Sequence, residues 1–487
     1  MTKKNLKRKA TSGMIWTTIQ KFSKMGIQFV SGIVLARLLT PFDYGCIGML
    51  TIFMVLAEAF IDGGFGSALI QKKRPTQVDY STIFHWNIFL SIVMYSILYF
   101  SAPFIAKFYA ISELCNVLRV LGIILFIYAL NIIQRNQLKK QLKFKIIAII
   151  RIITAVISLI VTIIMAYLGF GVWALVTQHI LMAAIPSVFF WFYTKWRPSW
   201  VFSWQSFKEL FSFGFFMFLT QLINRFSDQI QGLFIGKLYN PVTMGYYSKA
   251  LGTERLASHT ISGVMNSVTY PVYAEVQDDL KTMGNMIMKM TSTISYVSFP
   301  LLMILLLIAK PVFVLLYSEK WLASVPYFQV LCVAGLGGCL SGVNSQPIAA
   351  IGKSKTMFSW TIVKRIIGII VMIGGLLLFG MAGLLVGAVI NNWFSYFVNG
   401  WLVSKHIGYK LTQQLLDIIP VFIAASFSAM VSYVCGYIMD LSLYADGLMK
   451  LFVFVFLYMS WSLLFKPESY MYTKNTLMPI LSKYRGK

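Results

Sequence analysis

Charge is scarce in this chain, and acid is scarcer. Of 487 residues only 12% are charged, and 16 Asp and Glu stand against 42 Lys and Arg. Soluble globular domains carry about a quarter of their residues charged, so a water-soluble protein of this size is excluded. Cysteine is sparse: Cys46, Cys115, Cys332, Cys339 and Cys435 contain no Cys-x-x-Cys pair. Cys332 and Cys339 share a helix face but are too far apart to bridge, so all five read as packing residues. His85, His179, His259 and His406 are scattered and form no metal-ligating pattern. No Gly-x-x-x-x-Gly-Lys-Ser/Thr, Gly-x-Ser-x-Gly or His-Glu-x-x-His sequence occurs. Those absences remove the usual signatures of ATP hydrolysis, serine nucleophiles and zinc hydrolysis. The chain reads as no enzyme.

What is abundant is apolar sequence. Hydrophobic residues make up 58% of the chain, and the mean hydropathy is +0.73. A bilayer-spanning helix needs about 20 apolar residues. About fourteen such stretches are found, near 13–36, 46–69, 83–106, 114–133, 146–167, 172–193, 209–235, 244–276, 286–308, 327–350, 359–379, 381–403, 418–438 and 447–465. Their continuity favours helices over the short alternating segments of a membrane β-barrel. The expected fold is therefore an all-α polytopic membrane protein.

Positive charge marks every second gap. Of the 42 Lys and Arg, 26 fall on one side, in the N-terminal tail (Lys3, Lys4, Lys7, Arg8, Lys9), the later gaps (among them Lys72, Lys73, Arg74, Arg135, Lys139, Lys140) and the C-terminal tail (Lys483, Arg485, Lys487 among them). Only Arg37, Lys107, Lys237, Lys310, Lys320 and Lys450 fall opposite. The positive-inside rule then places both termini in the cytoplasm and requires an even number of spans. The net charge of +26 is spread over short loops, which suits topology and anionic lipid rather than nucleic acid. The basic N-terminal tail precedes an apolar run without a clear small-residue cleavage site, so that run is read as the first helix and not as a signal peptide.

An internal repeat organises the chain. Gly32-Ile33-Val34-Leu35-Ala36-Arg37-Leu38-Leu39-Thr40-Pro41-Phe42-Asp43-Tyr44-Gly45 matches the segment from Gly232 to Gly245, where Gly232, Leu238, Pro241 and Gly245 are identical and Lys237 replaces Arg37. Its content is a helix end, a proline turn and a glycine opening the next helix. Polar stripes repeat as well: Lys21, Lys24, Gln28 and Ser31 on the first span, Gln221, Asn224, Asp228 and Gln231 on the seventh. Matching polar faces point to an aqueous cavity lined by both halves. The expected domains are 1–205 and 206–410, two parallel-related six-helix lobes around a central cavity, followed by 411–487 with two extra helices and a basic tail.

These residues carry a resemblance. Ala36-Arg37-Leu38-Leu39-Thr40-Pro41-Phe42-Asp43-Tyr44-Gly45, Asp62-Gly63-Gly64-Phe65-Gly66-Ser67-Ala68-Leu69-Ile70-Gln71, Gly169-Phe170-Gly171-Val172-Trp173-Ala174-Leu175-Val176 and Ile235-Gly236-Lys237-Leu238-Tyr239-Asn240-Pro241 through Ala250 resemble the polysaccharide-flippase branch of the multidrug, oligosaccharidyl-lipid and polysaccharide exporter superfamily. Phe42 stands where family copies commonly have an acid. The resemblance implies a V-shaped pair of lobes working by alternating access in the bacterial inner membrane. The substrate it implies is an oligosaccharide repeat unit on polyprenyl pyrophosphate, exported for lipopolysaccharide, capsule or exopolysaccharide synthesis. Membrane lipids and other glycan-assembly membrane proteins are the further partners it suggests. A monomer is expected, with no cofactor beyond a coupling ion, H+ or Na+. The competing readings are a membrane glycan polymerase or ligase, disfavoured by the short outer gap near 309–326, and a drug–cation antiporter. The antiporter would want acids in the first lobe, where only Glu58 and Asp62 lie within spans.

An anionic head cannot cross hydrocarbon unaided; it needs a wet, basic path. Lys24, mid-span on the polar face of the first helix, is the first candidate for pyrophosphate, with Lys21 and Gln28 beside it. Arg225 and Asp228, spaced to pair along the seventh span, and Asn224 form the second group. Arg255, aligned with His259, Ser262 and Asn266, offers a two-pronged phosphate grip. Lys249 and Arg365 complete the candidate set, Arg365 and its neighbour Lys364 having lipid headgroups as the competing contact. Asp62, before Gly63-Gly64, reads as a turn cap.

Overall fold

The computed structural model of the protein describes residues 3–474. Lys483, Arg485 and Lys487 lie outside the described residues; so do the side chains of the N-terminal basic tail and of His259, Ser262 and Asn266. Among the described residues every regular element is helical. In chain order these are α1 (Lys3–Leu38), α2 (Pro41–Asp62), α3 (Phe65–Gln71), α4 (Gln77–Tyr109), α5 (Glu113–Lys140), α6 (Phe144–Tyr167), α7 (Val172–Thr194), α8 (Trp204–Leu238), α9 (Pro241–Glu275), α10 (Leu280–Leu307), α11 (Ala309–Tyr317), α12 (Val325–Ala350), α13 (Ser354–Ile407), α14 (Leu411–Met439) and α15 (Leu443–Phe465). A 3-10 turn, Glu319–Ser324, separates α11 from α12.

Ten of the described helical stretches are long and apolar enough to cross a membrane, so the chain is a multi-pass membrane protein. Fourteen spans were expected. The 54-residue α13 counts once, although Gly380, at φ 64 and ψ −151, turns the chain back so that Gly375 and Gly383 pack backbone on backbone. Helices α1, α8 and α9 run 35 or 36 residues and are not among the ten. They are the helices that carry the polar stripes and the residues around Lys249 and Arg255. Polar side chains along one face lower a helix's mean apolarity without shortening it.

Local signals set the boundaries. Thr40 caps α2 by accepting from the Asp43 amide, and Asp43 returns the contact to the Thr40 backbone amide at 2.8 Å, with Pro41 in the first turn. Thr76 and Asp79 repeat this capping box at the start of α4. The second expected span is broken into α2 and α3 because Gly63 and Gly64 both adopt left-handed backbone, φ 51 and 73. Asp62 was expected to cap that turn; its carboxylate lies within the electrostatic reach of Arg135 and Arg225 and near Gln221 of α8.

The chain divides into two compact units, Met1–Gly245 and Tyr246–Lys487. In the first, α1 packs on α6, α5 on α4 and α7, and α2 on α5 and α8. The repeat places α8 at the head of the second half; its packing partners α2, α3 and α4 all belong to the first unit. The two copies of the Gly–Pro–Gly motif meet there. A Cβ at Gly45 would collide with the Pro241 carbonyl, and a Cβ at Gly245 with that of Pro41. Each glycine thus admits the other copy's turn. In the second unit α12 packs on α13 and α10, and α14 on α10 and α15, around fully buried Phe299, Phe313, Phe328 and Trp321.

Candidate functional site

A cavity of about 260 Å³ lies within the first unit, walled by α2, α5, α6 and α7. Thr51 and Glu58 reach it from α2, Tyr128 and Asn131 from α5, Arg151 from α6 and His179 from α7. The remaining wall is apolar and includes Met54, Leu121, Ile124 and Met182. The spacing explains the arrangement. Thr51, Glu58 and Asp62 follow each other at seven and four residues on α2, and Tyr128, Asn131 and Arg135 at three and four on α5, so each set lines one helix face. Because α2 packs on α5, the two polar faces form a seam inside the bundle.

Charge in the seam is strongly biased to the positive. Arg225 on α8 reaches Glu58 at 3.8 Å and donates to the Val55 carbonyl at 3.3 Å. Arg225 was expected to pair with Asp228 on the same helix; its ion pair with Glu58 also joins α8 to α2. Arg135 was expected in a cytoplasmic gap. Helix α5 runs on to Lys140, which carries Arg135 into the bundle, over the Tyr128 ring at 5.5 Å and within the electrostatic reach of Glu58 and Asp62. Arg151 feels Arg135, and Lys24 on α1 feels Arg151. Arg135 and Arg225 therefore act on both carboxylates and Lys139 on Asp62, while Arg151 and Lys24 add positive charge beside them. Such an excess is costly in a membrane protein unless an anion or water answers it.

The sequence candidates separate. Lys24 and Gln28 are exposed and Lys21 is partly buried on α1; Ser31, lower on the stripe, is buried and accepts from Gln178 at 3.2 Å. Asn224 and Asp228 are partly buried on α8. Lys249, Arg255 and Arg365 belong to the second unit. There Lys249 is buried, its ammonium 3.8 Å from the Tyr317 ring centre and 5.5 Å from that of Trp321. Arg255 and Arg365 are partly buried. Lys364 donates to Asn399 at 2.6 Å, and Asn399 in turn donates to Ser341. Lys364 thus donates to a buried amide of the same helix pair. Sequence reasoning missed Asn131, Tyr128 and His179 as site residues and did not single out Arg151. The alternation of polar groups on α2 and α5 was the available signal.

Among the described residues no group of His, Cys, Asp and Glu could hold a metal ion. A family model described as "Polysaccharide biosynthesis protein" matches residues 34–326. The chain belongs to that family. It is 27% identical over 442 residues to the teichuronic acid biosynthesis protein TuaB of Bacillus subtilis, covering 88% of this chain and 89% of TuaB. It is 22% identical to the lipopolysaccharide biosynthesis protein WzxC of Escherichia coli, with 89% of both chains covered. Its fold is that of the lipid II flippase MurJ, solved in an inward closed conformation, at a TM-score of 0.70 and 14% identity over 96% of this chain and all of that one. The resemblance carried by the sequence motifs is borne out.

Proposed function

We propose that this polysaccharide biosynthesis protein is a flippase, a transporter and not an enzyme, that moves a polyprenyl-pyrophosphate-linked oligosaccharide from the cytoplasmic to the outer leaflet of the bacterial inner membrane. The observation that carries the reading is the half-buried excess of Arg135, Arg151 and Arg225 over Glu58 and Asp62 in a membrane bundle. A pyrophosphate is the natural counter-charge, and a guanidinium grips it with two parallel hydrogen bonds. The polyprenyl tail stays in lipid while the head follows the polar route. Lys24, Lys21 and Gln28 on α1, with Asn224 and Asp228 on α8, extend that polar surface; Lys249, Arg255 and Arg365 are its counterparts in the second unit. Alternating access of two lobes, cytoplasmic termini and a monomeric state complete the proposal. An inside-negative potential drives an anionic head outward by about 2.3 kcal/mol per charge per 100 mV, alone or with H+ or Na+ as coupling ion.

Deleting the gene tests the reading. Lipid-linked repeat units should accumulate in the cytoplasmic leaflet and surface glycan should disappear. Units that reach the outer leaflet and stay unpolymerised would point to the polymerase instead.

A further inference from the structure

Residues 195–203, between α7 and α8, take no helical turn, yet they are fixed to α4. The Ser199 and Ser81 hydroxyls meet at 2.9 Å, and the Ser199 amide donates to the same Ser81 oxygen at 3.0 Å. The Ser203 amide donates to Thr82 Oγ1 at 3.1 Å. Gln77 donates to the Arg197 carbonyl at 2.7 Å and accepts from the Trp196 indole at 2.6 Å. The Trp200 ring stacks on His85, with ring centres 5.7 Å apart. On a helix rising 1.5 Å per residue, His85 lies about 12 Å beyond Gln77. The segment thus descends along α4 from its first turn and returns to begin α8 at Trp204. Chain at that depth in a bilayer needs its polar backbone groups met, as the α4 side chains do here.

The side chains of the segment divide. Trp196 packs edge-on against Tyr80 and Phe84. Trp200, by contrast, is 96% exposed, and Val201, Phe202 and Trp204 are exposed beside it. Phe89, one turn beyond His85 on the same face of α4, is exposed as well, and α4 is long and apolar enough to cross a membrane. The open aromatic surface therefore continues the outward flank of a spanning helix. Lys195, Arg197 and Lys208 are exposed along the segment, and the Trp191 and Trp196 carbonyls hold Arg197 in place. The nearby acids, Asp79 and Glu209, both pair with Lys72, at 3.1 and 3.0 Å. Indole rings join an apolar body to a polar tip and gather where headgroups meet acyl chains. Lys and Arg at that level attract anionic headgroups.

We propose that this segment is a docking surface for anionic phospholipid. Trp200, Phe202 and Trp204 enter the boundary between headgroups and acyl chains, and Lys195, Arg197 and Lys208 hold the lipid phosphates above them. The surface concerns the bilayer around the protein and is independent of the flippase reading.

The test uses the full-length protein in nanodiscs of phosphatidylcholine and phosphatidylglycerol. The difference in fluorescence between wild type and Trp200→Phe isolates the Trp200 emission. Lipids brominated near the carbonyls should quench that emission more than lipids brominated at the chain ends. Native mass spectrometry of the same protein in detergent should show phosphatidylglycerol retained over phosphatidylcholine. Lys195→Gln with Lys208→Gln should weaken that preference about fivefold or more. Lys353→Gln with Lys355→Gln, two exposed cations at the start of α13, should leave it within about twofold. The quenching pattern needs neither lysine variant, so a folding defect in one does not decide the matter. The docking surface is overturned if acrylamide in water quenches Trp200 and neither lipid does, or if chain-end bromines quench it best. It is overturned if Trp200 is shielded from water and lipid alike, as a second copy of the chain seated there would make it. Equal retention of the two lipids, a wild-type preference in the Lys195, Lys208 variant, or the same loss in the Lys353, Lys355 variant would overturn it too.

Discussion

Two groups of cations, Arg225 with its neighbours in the first compact unit and Lys249 with Lys364 in the second, are neutralised in different ways, although the second unit also pairs Lys450 with Asp446 at 2.6 Å. In the first, guanidinium groups meet carboxylates: Arg225 pairs with Glu58 beside a cavity, and Arg135 and Arg151 remain in surplus. In the second, Lys249 lies against the faces of Tyr317 and Trp321, and Lys364 is held by Asn399. A ring face or an amide satisfies a cation without adding a competing negative charge, and the contact is compact and closed. A carboxylate pair next to open space can exchange partners with an anion that enters. The contrast separates charge built for exchange from charge built for holding elements together.

The largest effect is expected at the exchangeable pair. Arg225→Ala takes from half-buried Glu58 its nearer cation and leaves Arg135 as the other, at a cost of about 2 kcal/mol in stability, and should abolish surface glycan. Removing both charges, as Glu58→Gln with Arg225→Gln, should restore most of the melting temperature in detergent but not the glycan. Full recovery of both would make the pair structural and erase the distinction between the units. Next comes the reciprocal glycine contact. Gly45→Val and Gly245→Val each press a side chain into the opposing proline turn and should cost about 2 kcal/mol by melting; a tolerated substitution at either would mean that the two motif copies do not need their close approach.

In the second unit, Tyr317→Leu removes the ring under Lys249 and the hydroxyl contact with Thr253 at 3.2 Å. A loss of about 1–2 kcal/mol is expected, with a smaller effect on glycan export than Arg225→Ala; the reverse order would sink the comparison. The smallest effect lies at the surface. Hydrogen bonds from the Thr282 hydroxyl and backbone hold the exposed Asp279 carboxyl, the cap of α10, below the usual carboxylate range. A depressed carboxyl pKa stabilises the fold above the ordinary value and loses that contribution as pH falls through the lowered one. Asp279→Ala should therefore melt slightly lower than wild type at neutral pH, and the gap should close in acid below the ordinary carboxylate range.

Much of this architecture was legible in the sequence. The apolar runs fix the helices, and the Gly–Pro–Gly spacing marks turns whose close approach at Gly45 and Gly245 has a steric cause. The site was less legible. Arg135 sits beside Lys139 and Lys140, so its charge reads as loop, and only the continuation of α5 for two more turns brings it inside. Arg151 shares the apolar α6 only with Lys145 in its first turn and gives no stripe. Asn131 is ordinary in sequence. Its place in the cavity wall depends on how α5 packs against α2 and α7, which its own spacing does not reveal. Arg225 illustrates the same limit: spacing along one helix gives no sign that the neighbouring helix brings Glu58 within reach.

The most direct measurement is transbilayer movement of a fluorescent polyprenyl-pyrophosphate disaccharide in proteoliposomes, followed by quenching of the outer leaflet. Wild type should equilibrate the lipid far faster than protein-free vesicles, and an Arg151→Gln, Arg225→Gln protein that melts like wild type should be slowed about tenfold or more. Wild-type movement no faster than in empty vesicles, or an undiminished rate in the doubly substituted protein, would contradict transport through the buried cationic seam.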